Sequence, residues 1–329
     1  MSSIELPNTD DPLLTRLAFG VGRLHKHDLG TAYRTVRTAY DHGIRHFDTS
    51  VYYGFGLGQT VLGQLIADVG DRDALFISTK IGHFQKEFPG AKKLYRNEEA
   101  LWGLVHECYR QLRGPIDLLQ IHEADLSVWW DSSEPEEGHR FVQADVEYEF
   151  RPAPVMRAVE RARESGVCRY IGATGNTSEA LSRVVSAIDV DTVMCAYNLD
   201  PIFRGAQTNL LPVVRERGLF YLSAGLLQGG SYVRPRNFDR WFHRDERIVE
   251  RFTRYAEIQE ASGLTGAELV SRWMLSVPDV GCWVLGASHP DQVDETMRVL
   301  RKGPLPADLQ AALDALALPG VDPFSSFPG

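Results

Sequence analysis

Residues 44–54, IRHFDTSVYYG, hold a short strand and the turn that follows it. In extended backbone successive side chains point to opposite faces, so Ile44, His46 and Asp48 share one face and Arg45, Phe47 and Thr49 the other. Asp48 therefore closes the strand at its carboxyl end, and Tyr53 sits just past it in a turn. A carboxylate and a phenol placed this way point to a site that handles protons, provided that a cation stands nearby.

Outward from this stretch the same unit recurs. Upstream, residues 28–42 place Leu29, Ala32, Tyr33, Val36, Ala39 and Tyr40 at helical spacing up to a stop at Gly43, and residues 17–21 (LAFGV) before them predict a strand. Downstream come a helix over 59–69 and a strand over 74–80 (ALFISTK). Asn97 caps a helix that ends at Gly114-Pro115, and residues 116–121 (IDLLQI) make a fourth strand that ends at His122. Further strands are expected over 170–174, 192–197, 219–223 and 280–285, and helices over 152–165, 178–187, 205–217, 245–261, 266–276, 290–301 and near 306–316. Eight strand–helix units call for a parallel sheet, and their number predicts an α/β fold closed as a (β/α)8 TIM barrel, a single domain over 1–329. Two long loops interrupt the rhythm, at 123–151 and 225–244, and residues 317–329 form a C-terminal tail.

Composition narrows the partners. Apolar residues make up 43% and charged ones 24%, as in a globular protein with a sizeable core. The net charge of −9 is spread along the chain without a Lys/Arg run, so neither nucleic acid nor an anionic membrane surface is expected. Cys108, Cys168, Cys195 and Cys282 lie far apart with no CxxC pair, which indicates neither a zinc site nor a disulfide framework and suggests reduced thiols in a cytoplasmic protein. The start, MSSIELPNTDDP, lacks the basic patch and apolar run of a signal peptide, and no apolar stretch is long enough to span a membrane. No metal is expected, and no sustained heptad indicates an oligomeric state.

In a barrel of this kind the chemistry sits at the carboxyl ends of the strands. Asp48 ends strand two, Tyr53 follows it, Lys80 ends strand three and His122 ends strand four, so all four face one mouth. A free phenol, with a pKa of about 10, trades protons poorly near neutrality; an adjacent ammonium lowers that value, and a carboxylate keeps the ammonium charged and aimed. Asp48 and Lys80 alone would serve equally as a structural ion pair, and a lone His122 as a buried imidazole; the four together favour a proton relay. The run GFGLG after Tyr53 is no dinucleotide fingerprint, since Gln59 stands where the third glycine would fall.

The runs DTSVYYG, ISTKIG and DLLQIHEAD resemble the aldo-keto reductases, and so do IGATGNT, SAGLLQGG and VLGASHPDQVDET further along. The resemblance covers nearly the whole chain. It implies a (β/α)8 barrel in which Tyr53 is the general acid or base, Lys80 and Asp48 tune it and His122 orients the substrate. It also implies an extended nicotinamide cofactor, NADP(H) or NAD(H), across the mouth. Thr174 and Asn176 would hold its carboxamide, Ser223, Gly225, Leu226 and Gln228 would cover its pyrophosphate, and Gly286, Ala287, Ser288, Gln292 and Glu295 would meet its adenosine ribose. Met194 departs from the glutamine many members carry. Gly286 and Gln292 stand where NADP-preferring members often place Lys and Arg, which leaves His289 or an arginine of the 225–244 loop to meet a 2′-phosphate.

The HEAD and SAGLLQGG segments place the chain nearer the bacterial sugar and pyridoxal dehydrogenase branch. The expected activity is NAD(P)-dependent interconversion of a small-molecule carbonyl, an aldehyde, ketone or sugar, and its alcohol. At least one of Trp129 and Trp130 is expected to line an apolar substrate pocket, of a kind that also suits an aromatic group. Two other readings fit the residues alone: a nucleotide-sensing regulatory barrel like the potassium-channel β subunits, and a lyase or isomerase barrel with a Schiff base on Lys80.

Overall fold

Apolar runs of four to eight residues, each followed by an amphipathic segment, fold as the alternation requires. A computed structural model describes residues 4–7, 10–83, 91–131, 140–237 and 245–324. Its strands are Leu17–Gly20 (β1), His46–Asp48 (β2), Phe76–Ile81 (β3), Ile116–Ile121 (β4), Cys168–Gly175 (β5), Thr192–Ala196 (β6), Phe220–Ala224 (β7) and Cys282–Gly286 (β8). Each pairs in parallel with the next and β8 pairs back with β1, which closes the barrel.

Helices Leu29–Asp41 (α1), Leu57–Val69 (α2), Ala91–Leu94 (α3), Glu98–Gln111 (α4), Pro154–Glu164 (α5), Ser178–Ala187 (α6), Leu211–Arg217 (α7), Glu246–Ser262 (α8), Gly266–Trp273 (α9), Pro290–Leu300 (α10) and Ala307–Asp314 (α11) carry the chain between strands and beyond β8. Their starts follow the caps: Asp28 accepts from the Thr31 amide and Asn97 from the Ala100 amide, both at 3.0 Å.

Three departures from the sequence pattern have local causes. The helix expected over 205–217 begins as a wide π turn over Ala206–Leu210, because Pro212 has no N–H to donate back to the preceding turn. The short α3, in the β3–α4 connection, has too few residues for a periodicity to be seen. The loop 123–151 carries a 3-10 turn, Ser127–Trp129, and a single antiparallel bridge between Leu126 and Phe141. Parts of both long loops, 132–139 and 238–244, lie outside the described residues.

The strands separate two kinds of interior. Phe47, Ile77, Leu119, Ile171 and Tyr221 belong to the large apolar layer shared with the helices, whereas Ala18, Met194, Leu222, Cys282 and Val284 form a small cluster of their own. On β2 to β6 the buried residues include His46, Asp48, Ser78, Lys80, Gln120 and Thr192. Lys80, Gln120, Gly172 and Thr192 stand side by side in register across four strands. A Cβ on Gly172 would sit 2.1 Å from Thr192 Oγ1 and 3.3 Å from Gln120 Cγ, so only glycine leaves room for those two side chains. Gly172→Ala is expected to destabilise the barrel by about 1–3 kcal/mol through overpacking; a urea midpoint unchanged from wild type would show that the layer can relax.

Candidate active site

The polar half of the barrel ends in a charged cluster. Lys80 Nζ donates to Asp48 Oδ2 and, at 2.9 Å, to the Thr49 carbonyl. The other carboxylate oxygen of Asp48 accepts from Ser78 Oγ at 2.8 Å and from Gln120 Nε2 at 3.2 Å. Lys80 and Asp48 are both almost wholly buried. The ammonium lies 4.9 Å from the centre of the Tyr53 ring, and the Tyr53 and His122 rings meet edge to face at 5.7 Å. His122 is held through Nδ1, 3.2 Å from Ser50 Oγ. The four residues expected to converge therefore do so, from three strand ends and one turn.

Electrostatics sets the charge states of Lys80, Tyr53 and His122. Burial works to lower the Lys80 pKa, but Asp48 and Tyr53 outweigh it and the net shift is upward, so the ammonium is kept. Burial pushes the Tyr53 phenol above its ordinary value; Lys80 pulls it down and Asp48 pushes it up again. This corrects the expectation of a lowered phenol: removal from water outweighs one neighbouring ammonium already neutralised by Asp48. Burial, the Lys80 charge and His83 hold His122 well below the usual imidazole range, hence neutral.

These groups line a cavity of about 1410 Å³, larger than one small ligand needs. Thr174, Asn176, Gly225, Leu226, Gly286, Ala287, Ser288, Gln292 and Glu295 line it too, as does Met194, which brings no polar group. Ser223 and Gln228 do not. Leu222 and Ala224 pack with the inner cluster, so strand alternation turns Ser223 outward, where it is buried beside the Tyr221 hydroxyl. Gln228 gives its amide to the Tyr197 carbonyl and to Asp200, which fixes the loop instead.

Trp129 and Trp130 are also absent from the lining. They are buried under the 123–151 loop, where Trp129 Nε1 donates to the His122 carbonyl at 3.0 Å and Trp130 Nε1 to the Ala124 carbonyl at 2.7 Å. Trp129 packs edge-on against Tyr95 and Trp130 against Phe150. They hold the β4 end in place and do not wall the pocket.

The wall suits an extended dinucleotide. Gly20 and Gly286 are register partners at the ends of β1 and β8, so bare backbone edges the cavity there. Gly225 has φ +72 and a Cβ on it would strike the Tyr197 ring at 2.6 Å, which brings that ring and the loop into close approach. Next to Gly229 lies the Arg23 guanidinium, and Arg23, His25 and Lys26 all line the cavity. Arg23 and Lys26 give this edge positive charge suited to phosphates, and the sequence signal for it is the run RLHKH at residues 23–27, shortly after β1. His289, by contrast, caps α10 and lies 3.3 Å from Asp291. Among the described residues no group of three or more His, Cys, Asp or Glu is arranged to hold a metal ion, and no helix is long and apolar enough to cross a membrane.

A closed parallel barrel thus carries a buried ammonium and a phenol at one large cavity. The chain belongs to the aldo/keto reductase family, which it matches over residues 16–318, and so to the oxidoreductases that interconvert carbonyls and alcohols. It is 25% identical over 287 residues to the D-threo-aldose 1-dehydrogenase of a Pseudomonas species, covering 80% of this chain and 81% of that one. It is 22% identical over 325 residues to the pyridoxal 4-dehydrogenase of Microbacterium luteolum, covering 86% and 89%. In fold it resembles the aldo-keto reductase AKR11C1 from Bacillus halodurans in its holo form, with a TM-score of 0.69, 20% identity and 96% of each chain covered.

Asp125, three residues past His122, supports the site from behind the cavity wall, a role no local sequence pattern signals. Its Oδ2 accepts from the amides of Asn176 and Thr177 at 2.7 and 2.8 Å and from Thr177 Oγ1 at 2.9 Å, which fixes the backbone that carries the Asn176 side chain. Burial pushes its carboxyl up to about 7, Glu123 adding to the rise and those bonds opposing it. A carboxyl raised this far adds stability that is complete at low pH and lost as pH rises through about 7. Asp125→Asn is therefore expected to lower Tm most in acid, its deficit against wild type shrinking from about pH 4 to about pH 7. A deficit independent of pH would remove Asp125 as the titrating group.

Proposed function

We propose that this protein is an NAD(P)-dependent carbonyl reductase or alcohol dehydrogenase in which Tyr53 is the general acid–base. The observation that carries the proposal is the Lys80 ammonium, held by Asp48 and facing the Tyr53 phenol on the same cavity wall as a neutral His122. When bound, a nicotinamide cofactor gives hydride to the carbonyl carbon or takes it from the alcohol.

The chain's own residues manage the proton. Tyr53, its pKa raised, keeps its proton until a carbonyl oxygen gains charge, and then donates it from the hydroxyl. The Lys80 ammonium stabilises the phenolate that is left, and Asp48 keeps that ammonium charged. With Nδ1 engaged by Ser50, His122 has Nε2 to offer to the substrate oxygen. Asn176 and Thr174 are assigned to the carboxamide end of the cofactor, and the glycines and cations of the β1, β7 and β8 loops to its phosphates.

Two relatives named for an aldose and for pyridoxal support a small polar substrate. Burial of all four cysteines as free thiols supports a cytoplasmic setting. A Schiff-base role for Lys80 is disfavoured, because an ammonium bonded to Asp48 and the Thr49 carbonyl is a poor nucleophile. A cofactor-sensing barrel without turnover would have no use for a phenol set against that ammonium.

Tyr53→Phe is expected to lower kcat for aldehyde reduction by about 10²-fold or more while NADPH still quenches the protein's fluorescence. Lys80→Met should fall as far. Full activity in Tyr53→Phe would overturn the assignment.

A further inference from the structure

Beside His122 the cavity wall carries a second polar pair that the proton chemistry does not use. His83 stands two residues past β3 and Glu123 two past β4, and His83 Nδ1 lies 2.6 Å from Glu123 Oε2. Both residues have left-handed backbone, φ +61 and +52, a strain that persists where the surroundings hold it and that gathers at functional sites. The other carboxylate oxygen of Glu123 accepts from Asn176 Nδ2 at 3.1 Å. The His83 ring lies 5.0 Å from the His122 ring, and all three residues line the cavity with His83 still 49% exposed. Glu123 also raises the His83 pKa, which favours the imidazolium and its donor N–H.

His122 meets the reacting oxygen in the proposed function, on which this step rests. What lies against His83 and Glu123 is then the atom bonded to the reacting carbon. The pair offers one charged donor beside one charged acceptor and is neutral overall, so it suits a hydroxyl, which both donates and accepts. A carboxylate at that point would meet Glu123 at close range, and an alkyl group would take the pair out of water without giving it a partner. We propose that His83 and Glu123 bind a hydroxyl on the carbon next to the reacting carbonyl, so that the enzyme selects 2-hydroxy aldehydes, aldoses included, over plain aldehydes of the same length.

The test compares lactaldehyde with propanal, which differ by that one hydroxyl, with NADPH as reductant. Wild type is expected to favour lactaldehyde in kcat/KM by at least about ten-fold, as a site built to bond a hydroxyl rejects the analogue that lacks it. His83→Gly suits the left-handed backbone, and Glu123→Gln keeps the side chain's shape. In each the lactaldehyde-to-propanal ratio should collapse towards one, mainly through the KM for lactaldehyde; a ratio cancels any general loss of activity. Equal use of the two aldehydes by wild type, or a ratio kept in both variants, overturns the inference and leaves the oxidoreductase assignment standing. Reduction of neither aldehyde by wild type, with NADPH bound, removes the inference together with the proposed reduction of small aldehydes and leaves the family assignment standing.

Discussion

The buried Lys80–Asp48 pair is the constraint to which the rest of the barrel interior answers. Each ion removed from water costs several kcal/mol, and their mutual attraction repays this only when the remaining donors and lone pairs are also met. Ser78, Gln120 and the Thr49 carbonyl meet them. Those partners sit just past β2 and on β3 and β4, so that side of the barrel is polar where the small cluster on β1 and β6 to β8 is apolar. Gly172 follows from the same demand, since Gln120 can lie across β5 only if β5 has no side chain there. A pair this deep adds little to stability, so the large apolar layer between strands and helices offsets its cost and its value lies in the mouth above it.

Burial and that one ammonium together set the charge states of its neighbours. It stands close enough to Tyr53 to hold a phenolate once one forms, yet burial keeps the resting phenol protonated. Burial first and the Lys80 charge second keep His122 neutral, so an acid and a neutral imidazole stand side by side. The resting site is thus poised to give a proton to a carbonyl oxygen, and the reverse direction needs the phenolate that an alcohol's proton would reprotonate.

What the sequence made legible was whatever depends on short range. Strand and helix alternation set the barrel, and position at a strand's end brought Asp48, Lys80 and His122 to one mouth. Side-chain direction within a strand could have turned Ser223 away, since Leu222 and Ala224 flank it in a run of known period. Trp129, Trp130 and Gln228 could not have been read, because each finds a backbone carbonyl set by the path of a loop with no period. His83 and Asp125 failed for another reason: their partners, Glu123 and the Asn176–Thr177 amides, lie some 40 and 50 residues away in the chain. The phenol's pKa went wrong because the depth of burial is a tertiary quantity that no local pattern carries.

The mouth is braced around Asn176 in a way that ties both ends of the cavity together. Asp125 holds its amide, Asn198 Nδ2 holds its carbonyl at 2.7 Å, and its side chain reaches Glu123 and through it His83. On the next turn of chain Ser178 donates, from N at 3.0 Å and Oγ at 2.8 Å, to Asp322 of the C-terminal tail, and Phe324 lies 5.2 Å from the Tyr197 ring. Tyr197 in turn touches Gly225. Residues from β4, β5, β6, β7 and the tail thus fix one another, so the side chains assigned to the cofactor's carboxamide and those facing the substrate share a single frame. Glu123 is bonded to both Asn176 and His83 and so links the cofactor end of that frame to the substrate end.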